Sequence, residues 1–443
     1  MQYLKLFFSR KINKHKLGEA FFLIGIFFLC SSLIIGGSFL FISFILGSFI
    51  QNKQSSYFKD KWNLPFFLCG LLIILSALIQ KFLLQNNLEE IWDPNLSFVG
   101  MANWLPFFWI FWACQPFVNS KEKRKKFALF LTAGTFPLLI TGFGQYFFQW
   151  TGPFETLNGL IIWYQRPLTS PGGLSGLFNN QNYAGSWLNL VWPFCIALAL
   201  QKTKNWVKKS VSICFLISIG LAILLTFSRN AWVGLLIALP LVIAQEAFFW
   251  VIIISILFVF LLIFLISPIF SGDIQTTFRD FIPNVILREF TEEGYKTLDV
   301  TRIEIIRSAL NLIKVSPLIG FGAASFTALY KLETNFYKGH SHNLLTELAI
   351  SYGLPVTIIF TITLVGILST SYYVVFIKNL QYIDYFERAY WATVFYFFLS
   401  QLVDIQYFDG KISIVAWILI ASLKNLIDES KLEYFSQKTN INE

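Results

Sequence analysis

The stretch FFLIGIFFLCSSLIIGGSFLFISFILGSFI, residues 21–50, contains no charged residue. A membrane-spanning helix needs about 20 apolar residues, so this stretch is too long for one straight span. The adjacent glycines Gly36 and Gly37 predict a break between one span over 18–34 and a second over 36–50. The two spans would form a tight hairpin that enters and leaves on the same side of the membrane.

The composition of the whole chain also indicates a membrane protein. Of its 443 residues, 56% are hydrophobic and only 13% are charged, whereas soluble domains carry about 25% charged residues. The mean hydropathy is +0.61. Each of the five cysteines lies in an apolar stretch, which is typical of buried small side chains and not of a disulfide framework. We therefore predict an all-α polytopic protein embedded in a lipid bilayer.

Hydropathy predicts about twelve transmembrane helices. After the first two, they lie near 63–84, 101–118, 126–149, 181–201, 206–227, 229–245, 247–268, 344–376, 387–403 and 411–427. The predicted organisation is a membrane domain of about nine helices, an outer helical cap loop, a membrane domain of about three helices and an inner tail. These parts cover 1–268 (with an external loop over 151–180), 269–343, 344–430 and 431–443.

Basic residues give the predicted orientation. With the N-terminus inside, the inner segments hold 22 Lys and Arg residues, and the short outer loops and span ends hold four. An excess of Lys and Arg in short loops marks the cytoplasmic side. Both termini are therefore expected in the cytoplasm. The formal net charge of +9 indicates this orientation and not a nucleic-acid partner.

The outer cap loop contains an amphipathic segment. Four apolar residues recur at helical spacing and predict a helix from about Thr301 with one stripe turned toward the membrane domain: Ile303, Ile306, Leu310 and Ile313. Pro317 and the GFG at 320–322 end this helix, and a second short helix through Phe326 and Leu329 is expected to follow.

Two arginines lie in short outer segments. Arg229, in TFSRNAW, is the only charged residue between Lys209 and Glu246. Since an arginine in the bilayer centre costs about 2.5–3.5 kcal/mol, Arg229 either extends out of an external turn or holds an anion in a polar cavity. Arg166 precedes a segment rich in Gly, Asn and Ser, which is either an ordinary polar loop or an anion-binding loop.

The surroundings of these arginines favour anion binding. Asn180 and Asn182 lie at a predicted helix N-terminus, where the helix dipole stabilises negative charge. Arg302 begins the cap helix, and Arg307 follows in it. Several guanidiniums on one face suit a diphosphate at the membrane surface, because each binds phosphate oxygens in a bidentate manner.

Two of the three histidines, His340 and His342, lie in YKGHSHNLLTELAISYGLPV, residues 337–356. They are either helix-start residues at the water interface or part of a reaction site, because a neutral imidazole near pH 7 can accept a hydroxyl proton. Asn343 and Glu347 share one helical face beside them. We predict no metal and no cofactor: histidines two apart in a helix point in different directions, and the outer acids are scattered (Asp273, Asp280, Asp299, Asp404 and Asp409).

Three parts of the chain resemble the O-antigen ligase and O-antigen polymerase superfamily of bacterial inner-membrane proteins. They are RPLTSPGGLSGLFNNQNYAG (166–185), TFSRNAW (226–232), and TRIEIIRSALNLIKVSPLIGFGAASF (301–326) followed by HSHNLLTELAISYGLP (340–355). The spacing from His342 to Gly353 fits the ligase motif, and the spacing from His340 does not. Val356 departs from the Gly, Thr or Tyr of the motif, which leaves the subfamily open.

The resemblance implies a transferase that moves a glycan from a polyprenyl-diphosphate donor to a glycan, lipid A core or protein acceptor. His342 would be the base. The remaining site residues would bind substrate, with the arginines on the diphosphate: Arg166, Arg229, Arg302, Asn180, Asn182, His340 and Asn343. The site is expected on the periplasmic side of the inner membrane. The alternatives are a repeat-unit polymerase of the same superfamily and, in another class, a bicarbonate-type anion transporter.

Overall fold

The computed structural model describes residues 14–54, 57–82, 92–156, 161–163, 165–168, 172–243, 301–378 and 383–441, with isolated residues in between. The predicted span over 247–268 lies almost entirely outside the described residues. The same is true of 269–300, the first part of the predicted cap loop.

The first half of the described chain is a series of helices interrupted by one small ribbon. The helices are α1 (Lys14–Leu29), α2 (Leu33–Gln54), α3 (Asn63–Phe82), α4 (Leu96–Met101), α5 (Leu105–Ala113), α6 (Lys121–Gly134), α7 (Phe136–Phe148), α8 (Gln181–Leu200), α9 (Trp206–Leu225) and α10 (Arg229–Ile243). Between α7 and α8, strands β1 (Phe154–Thr156) and β2 (Ile161–Trp163) pair in antiparallel fashion.

The second half contains three short helices before the final membrane helices. These elements are α11 (Arg302–Val315), α12 (Ser325–Thr334), α13 (Leu344–Tyr352), α14 (Leu354–Tyr372) with a π-helical turn at Tyr373–Lys378, α15 (Tyr385–Ser400) and α16 (Gly410–Ile441).

Eight segments of the described chain are long and apolar enough to cross a membrane. They are Leu33–Lys53, Asn63–Phe82, Leu96–Ala113, Lys121–Phe148, Gln181–Leu200, Trp206–Leu225, Leu354–Lys378 and Gly410–Leu432. The polytopic helical prediction is therefore confirmed, and the count of twelve is not. The predicted spans over 18–34, 229–245 and 387–403 correspond to helices of 16, 15 and 16 residues, shorter than the usual span of about 20 residues.

The hairpin between α1 and α2 turns at residues 30–32, so the predicted break at Gly36 and Gly37 is wrong. At the turn, Ser32 Oγ accepts a hydrogen bond from the Ile35 N–H at 3.3 Å. Gly36 lies inside α2, where a Cβ would lie 2.5 Å from Leu29 Cα and 2.9 Å from the Gly25 carbonyl oxygen. The glycine therefore permits close packing of two apolar helices, as small residues do in membranes.

The predicted span over 344–376 is divided at Gly353. This residue has φ of 89°, a value that glycine adopts without steric cost. The break separates α13 from the membrane helix α14, and α13 packs with the cap helices α11 and α12. His342 is therefore separated from the nearest spanning helix by one short helix, because the chain turns at Gly353 and does not continue straight.

The cap helix α11 begins where the sequence predicts but buries a different face. Thr301 is its N-cap and forms a capping box with Glu304. Ile305, Ala309 and Ile313 are the buried apolar residues of α11, and they pack with residues of α12 and α13. Of the predicted stripe only Ile313 is buried, while Ile303 and Leu310 are 72% and 48% exposed. The prediction followed the largest side chains, whereas small Ala309 lets α11 approach its neighbours.

We expect Ile305→Asp to destabilise the protein by about 3 kcal/mol, because it places a charge in the apolar contact between cap helices. Ile306→Asp is the matched control: its parent side chain is 38% exposed, so the variant should keep its melting temperature. Thermal unfolding of both purified variants in detergent measures the difference. Equal losses of thermal stability would contradict this packing of α11.

Candidate functional site

A hydrogen bond joins His342, before α13, to Asp404, in the loop between α15 and α16. The His342 Nδ1 lies 2.8 Å from Asp404 Oδ1. The other carboxylate oxygen, Oδ2, accepts hydrogen bonds from Gln406 Nε2 at 2.9 Å and from Asn182 Nδ2 at 3.3 Å. Both oxygens are thus held by side chains from three parts of the chain, which fixes the orientation of the carboxylate.

The Asp404 carboxylate is kept in its charged form. Burial alone would raise its pKa, but the hydrogen bond from His342 and the charges of His342, His340 and Arg302 bring the pKa below its usual value. A charged carboxylate at Nδ1 places the imidazole proton there and leaves Nε2 as the basic nitrogen. The His342 side chain is 28% exposed. This arrangement is suited to taking a proton from a hydroxyl group.

The backbone of His342 adopts an uncommon conformation. Its φ is 56°, in the left-handed region that few residues other than glycine occupy. The two residues that follow His342 are tied to the loop after α15: Asn343 Nδ2 donates to the Leu402 carbonyl at 3.1 Å, and Leu344 N–H donates to the Gln401 carbonyl at 2.9 Å. These contacts hold His342 against Asp404 in a conformation that would otherwise cost about 1–3 kcal/mol.

The asparagines near the site have structural contacts of their own. Asn343 is the N-cap of α13, and its Oδ1 accepts hydrogen bonds from two backbone N–H groups at 2.9 and 3.2 Å. Asn180 is the exposed N-cap of α8 and accepts from the Asn182 N–H at 2.7 Å. Asn343 and Asn182 therefore help to position the His342–Asp404 pair, through the Leu402 carbonyl and the Asp404 carboxylate respectively. Their substrate-binding roles stay predictions.

The rings of His340 and His342 lie together, so the prediction that they point in different directions is wrong. Their centroids are 4.3 Å apart, because residues 340–343 precede α13 and are not helical. Burial, and then the charge of His342, lowers the pKa of His340 to about 4. His340 also lines a cavity of about 210 Å³, together with Glu347, whose pKa is raised by burial.

The ligand atoms of His340, His342 and Asp404 all lie within 4.8 Å of one another. This spacing admits a metal ion and corrects the prediction that Asp404 is one of several scattered acids. The hydrogen bonds already engage Asp404 Oδ1 and Oδ2, the Nδ1 of His342 and the Nδ1 of His340. Two imidazole Nε2 atoms and the second lone pair of Asp404 Oδ1 are left as possible metal ligands.

Arg302 contacts the loop that carries Asp404 directly. Its Nη1 donates to the Val403 carbonyl at 2.9 Å. Its charge lowers the pKa values of both Asp404 and His340. Arg302 therefore lies close to Asp404 and His340.

A buried glutamine that the sequence analysis missed, Gln145 in α7, organises the loop of Arg166. Its Nε2 donates to the Arg166 carbonyl at 2.8 Å, and its Oε1 accepts from the N–H groups of Ser175 and Gly176, both at 2.9 Å. Gln145 thus joins Arg166 to the glycine-rich segment over 172–178. The available signal for this role was an amide side chain within a predicted membrane span.

The glycine-rich segment in turn packs on the turn before Arg229. Leu174 N–H donates to the Leu225 carbonyl at 2.8 Å, and Arg229 begins α10 just beyond. The next residue, Asn230, donates from Nδ2 to the Ser400 carbonyl at 3.3 Å. Arg166 and Arg229 therefore lie at the same end of the helix bundle as His342 and Asp404, and neighbouring residues link them to that pair.

We expect protein stability to fall as the pH is lowered from about 6.5 to about 4, and His340 to cause part of the fall. In the folded protein its pKa is about 4, below the ordinary 6.5. In this window the unfolded chain binds a proton that the folded protein does not, so acid favours unfolding. His340→Gln should flatten the profile of melting temperature against pH and leave the value at about pH 8 unchanged. An equally steep fall in the variant would contradict this assignment.

Comparison with known families finds one match in this part of the chain. Residues 213–361 match the family model described as O-antigen ligase, which includes Arg229, Arg302, His340, His342 and Asn343. The resemblance to the O-antigen ligase superfamily is thus confirmed, and with the apolar helices it indicates an integral membrane protein of polysaccharide biosynthesis. The residues that complete the site, among them Arg166, Asn182 and Asp404, lie outside the matched region. No curated protein matches the chain.

Proposed function

We propose that the protein transfers a glycan from a polyprenyl-diphosphate donor to an acceptor hydroxyl, as an O-antigen ligase does. The observation that carries the proposal is the 2.8 Å hydrogen bond between His342 and Asp404, with His342 inside the region that matches the O-antigen ligase family. The acceptor is a glycan, lipid A core or protein, each of which presents a hydroxyl group.

His342 is the general base of the proposed reaction. Its Nε2 takes the proton from the acceptor hydroxyl as the oxygen attacks the anomeric carbon of the donor glycan. The bond from that carbon to the diphosphate oxygen breaks, and the lipid diphosphate leaves with the electron pair. Asp404 stabilises the imidazolium that forms, as a carboxylate paired with a catalytic histidine does. The two bonds exchanged are both carbon–oxygen bonds, so no oxidant or reductant is needed.

Arg166, Arg229 and Arg302 are the proposed diphosphate site. A leaving diphosphate gains negative charge in the transition state, and cationic donors aimed at that charge stabilise it. The support is positional: the Arg166 loop, the turn before Arg229 and the Arg302 contact with Val403 all lie at the end of the bundle that holds His342. Guanidiniums can neutralise the leaving group, which is why we propose a metal-independent reaction without a cofactor.

The proposed site faces the periplasm. The inner segments hold 22 Lys and Arg residues against four in the short outer segments, which orients both termini toward the cytoplasm of the bacterial inner membrane. A lipid-linked glycan that has already crossed the membrane would then meet His342 at the outer surface.

We expect His342→Ala to reduce glycan transfer by about 10²–10⁴-fold, because it removes the general base. Protein level and binding of the lipid diphosphate should be unchanged, and His340→Ala should be milder. Arg229→Ala should instead weaken donor binding, and Arg229→Lys should restore it only in part, because an ammonium lacks the planar fork. In-gel transfer of a lipid-linked glycan by purified variants measures turnover, and a lipid-diphosphate binding assay measures the donor site.

Two results would change this assignment. Near-normal turnover by His342→Ala would remove the ligase mechanism and favour a repeat-unit polymerase that relies on the arginines. Loss of transfer in a chelator, with recovery on adding a divalent metal, would assign His340, His342 and Asp404 to a metal ion.

A further inference from the structure

The helix pair α8–α15 carries a second polar cavity at the end opposite the histidines. At one end Asn182 contacts Asp404, and further along the Phe194 and Tyr390 rings pack 4.9 Å apart. The two helices are therefore antiparallel. The cavity lies at the other end, around residues 200–202 and 383–387. Since α8 has 20 residues, the two ends are about 30 Å apart, the thickness of the bilayer's hydrocarbon core.

This cavity is cationic. Its volume is about 440 Å³, and its charged lining residues are four bases and two acids: Lys121, Arg124, Lys125, Lys202, Asp384 and Glu387. The formal charge of the lining is therefore +2. Apolar residues, among them Leu200 and Phe386, complete the wall. A cavity with both properties at the end of a spanning helix lies at the depth where lipid headgroups meet hydrocarbon.

Arg124 is the buried base of this cavity. Its side chain is 2% exposed, and its Nη2 lies 3.0 Å from Glu387 Oε1 and 2.7 Å from Glu429 Oε2. Within the described part of the chain, its buried Nε and Nη1 have no hydrogen-bond partner. A guanidinium has five N–H groups, so the two glutamates engage two and three are left. Buried donors of a charged group are costly to leave without acceptors, and the described residues provide none here.

We propose that this cavity binds a phosphate group. The phosphate oxygens accept hydrogen bonds from the three Arg124 N–H groups that do not bind Glu387 or Glu429. Phosphate offers several oxygens in different directions, which suits three N–H groups better than the two oxygens of a carboxylate do. Lys125 and Lys202 supply positive charge at the cavity. The phosphate comes from a phospholipid headgroup of the inner leaflet or from free phosphate in solution. This site is separate from the proposed transfer site, which lies about one bilayer thickness away.

The test uses two double variants that remove the same charge. Lys125→Gln with Lys202→Gln removes two lysines of the cavity and leaves the Arg124 ion pairs intact. Lys204→Gln with Lys208→Gln removes two exposed lysines at the same end of the bundle that do not line the cavity. Purified, delipidated full-length protein is titrated with phosphatidylglycerol, phosphatidylcholine or inorganic phosphate, and binding is measured by native mass spectrometry.

We expect the cavity variant to bind the phosphate-bearing ligand roughly 10- to 30-fold more weakly, since each lysine near an anionic group contributes about a factor of five. The control variant should bind as the parent does. Phosphatidylglycerol that inorganic phosphate does not displace identifies a lipid site, and saturable binding of inorganic phosphate alone identifies a site for the free ion. Equal binding by the two double variants, or equal loss in both, would overturn the proposal.

Discussion

Inside a bilayer, every backbone polar group must find a partner within the protein, because lipid offers none. The non-helical segments of this chain that carry the candidate site obey this constraint through buried amide side chains. Gln145 binds the backbone of the Arg166 loop. Gln401, at the end of α15, accepts hydrogen bonds from the N–H groups of Gln406 and Tyr407, both at 2.9 Å. Irregular chain that is held in this way can line a polar site at the end of a helix bundle.

Hydrogen bonds of the same kind position the His342–Asp404 pair. Asn343 caps α13 and its side chain also binds the loop after α15, and the Leu344 N–H binds the Gln401 carbonyl. The segment that carries His342 and the segment that carries Asp404 are therefore joined by hydrogen bonds. The side-chain hydrogen bond then forms between two groups that are already in place. A base held in its reactive geometry before substrate arrives loses little entropy in the reaction, which is a principal source of catalytic rate.

Local patterns in the sequence predicted the structural features that depend on residues close together in the chain. The apolar runs gave the spanning helices, and Thr301 and Asn180 were placed at helix starts where they are N-caps. Contacts between distant parts of the chain were not predictable in this way. Asp404 was missed because its partner is 62 residues earlier, and no periodicity connects the two positions.

The buried face of α11 was missed for a related reason. Side-chain size favoured Ile303 and Leu310, but the approach of α12 and α13 selects Ile305 and Ala309. The break at Gly353 likewise depends on the chain that packs beside it, since a Cβ there would overlap the carbonyl oxygen of Leu318. A glycine within an apolar run does not by itself show whether it marks a break, as Gly353 does, or a close contact, as Gly36 does.

The most direct test of the central claim is a double-mutant cycle on glycan transfer with His342→Ala, Asp404→Asn and the combined variant. If Asp404 acts by orienting His342, each single change lowers kcat, and the combined variant is no slower than His342→Ala alone. Asp409→Asn is the control: it alters the other acid of the same loop, which caps α16, and should leave kcat nearly unchanged. Losses that multiply in the combined variant would show that His342 and Asp404 act independently, and would contradict the account.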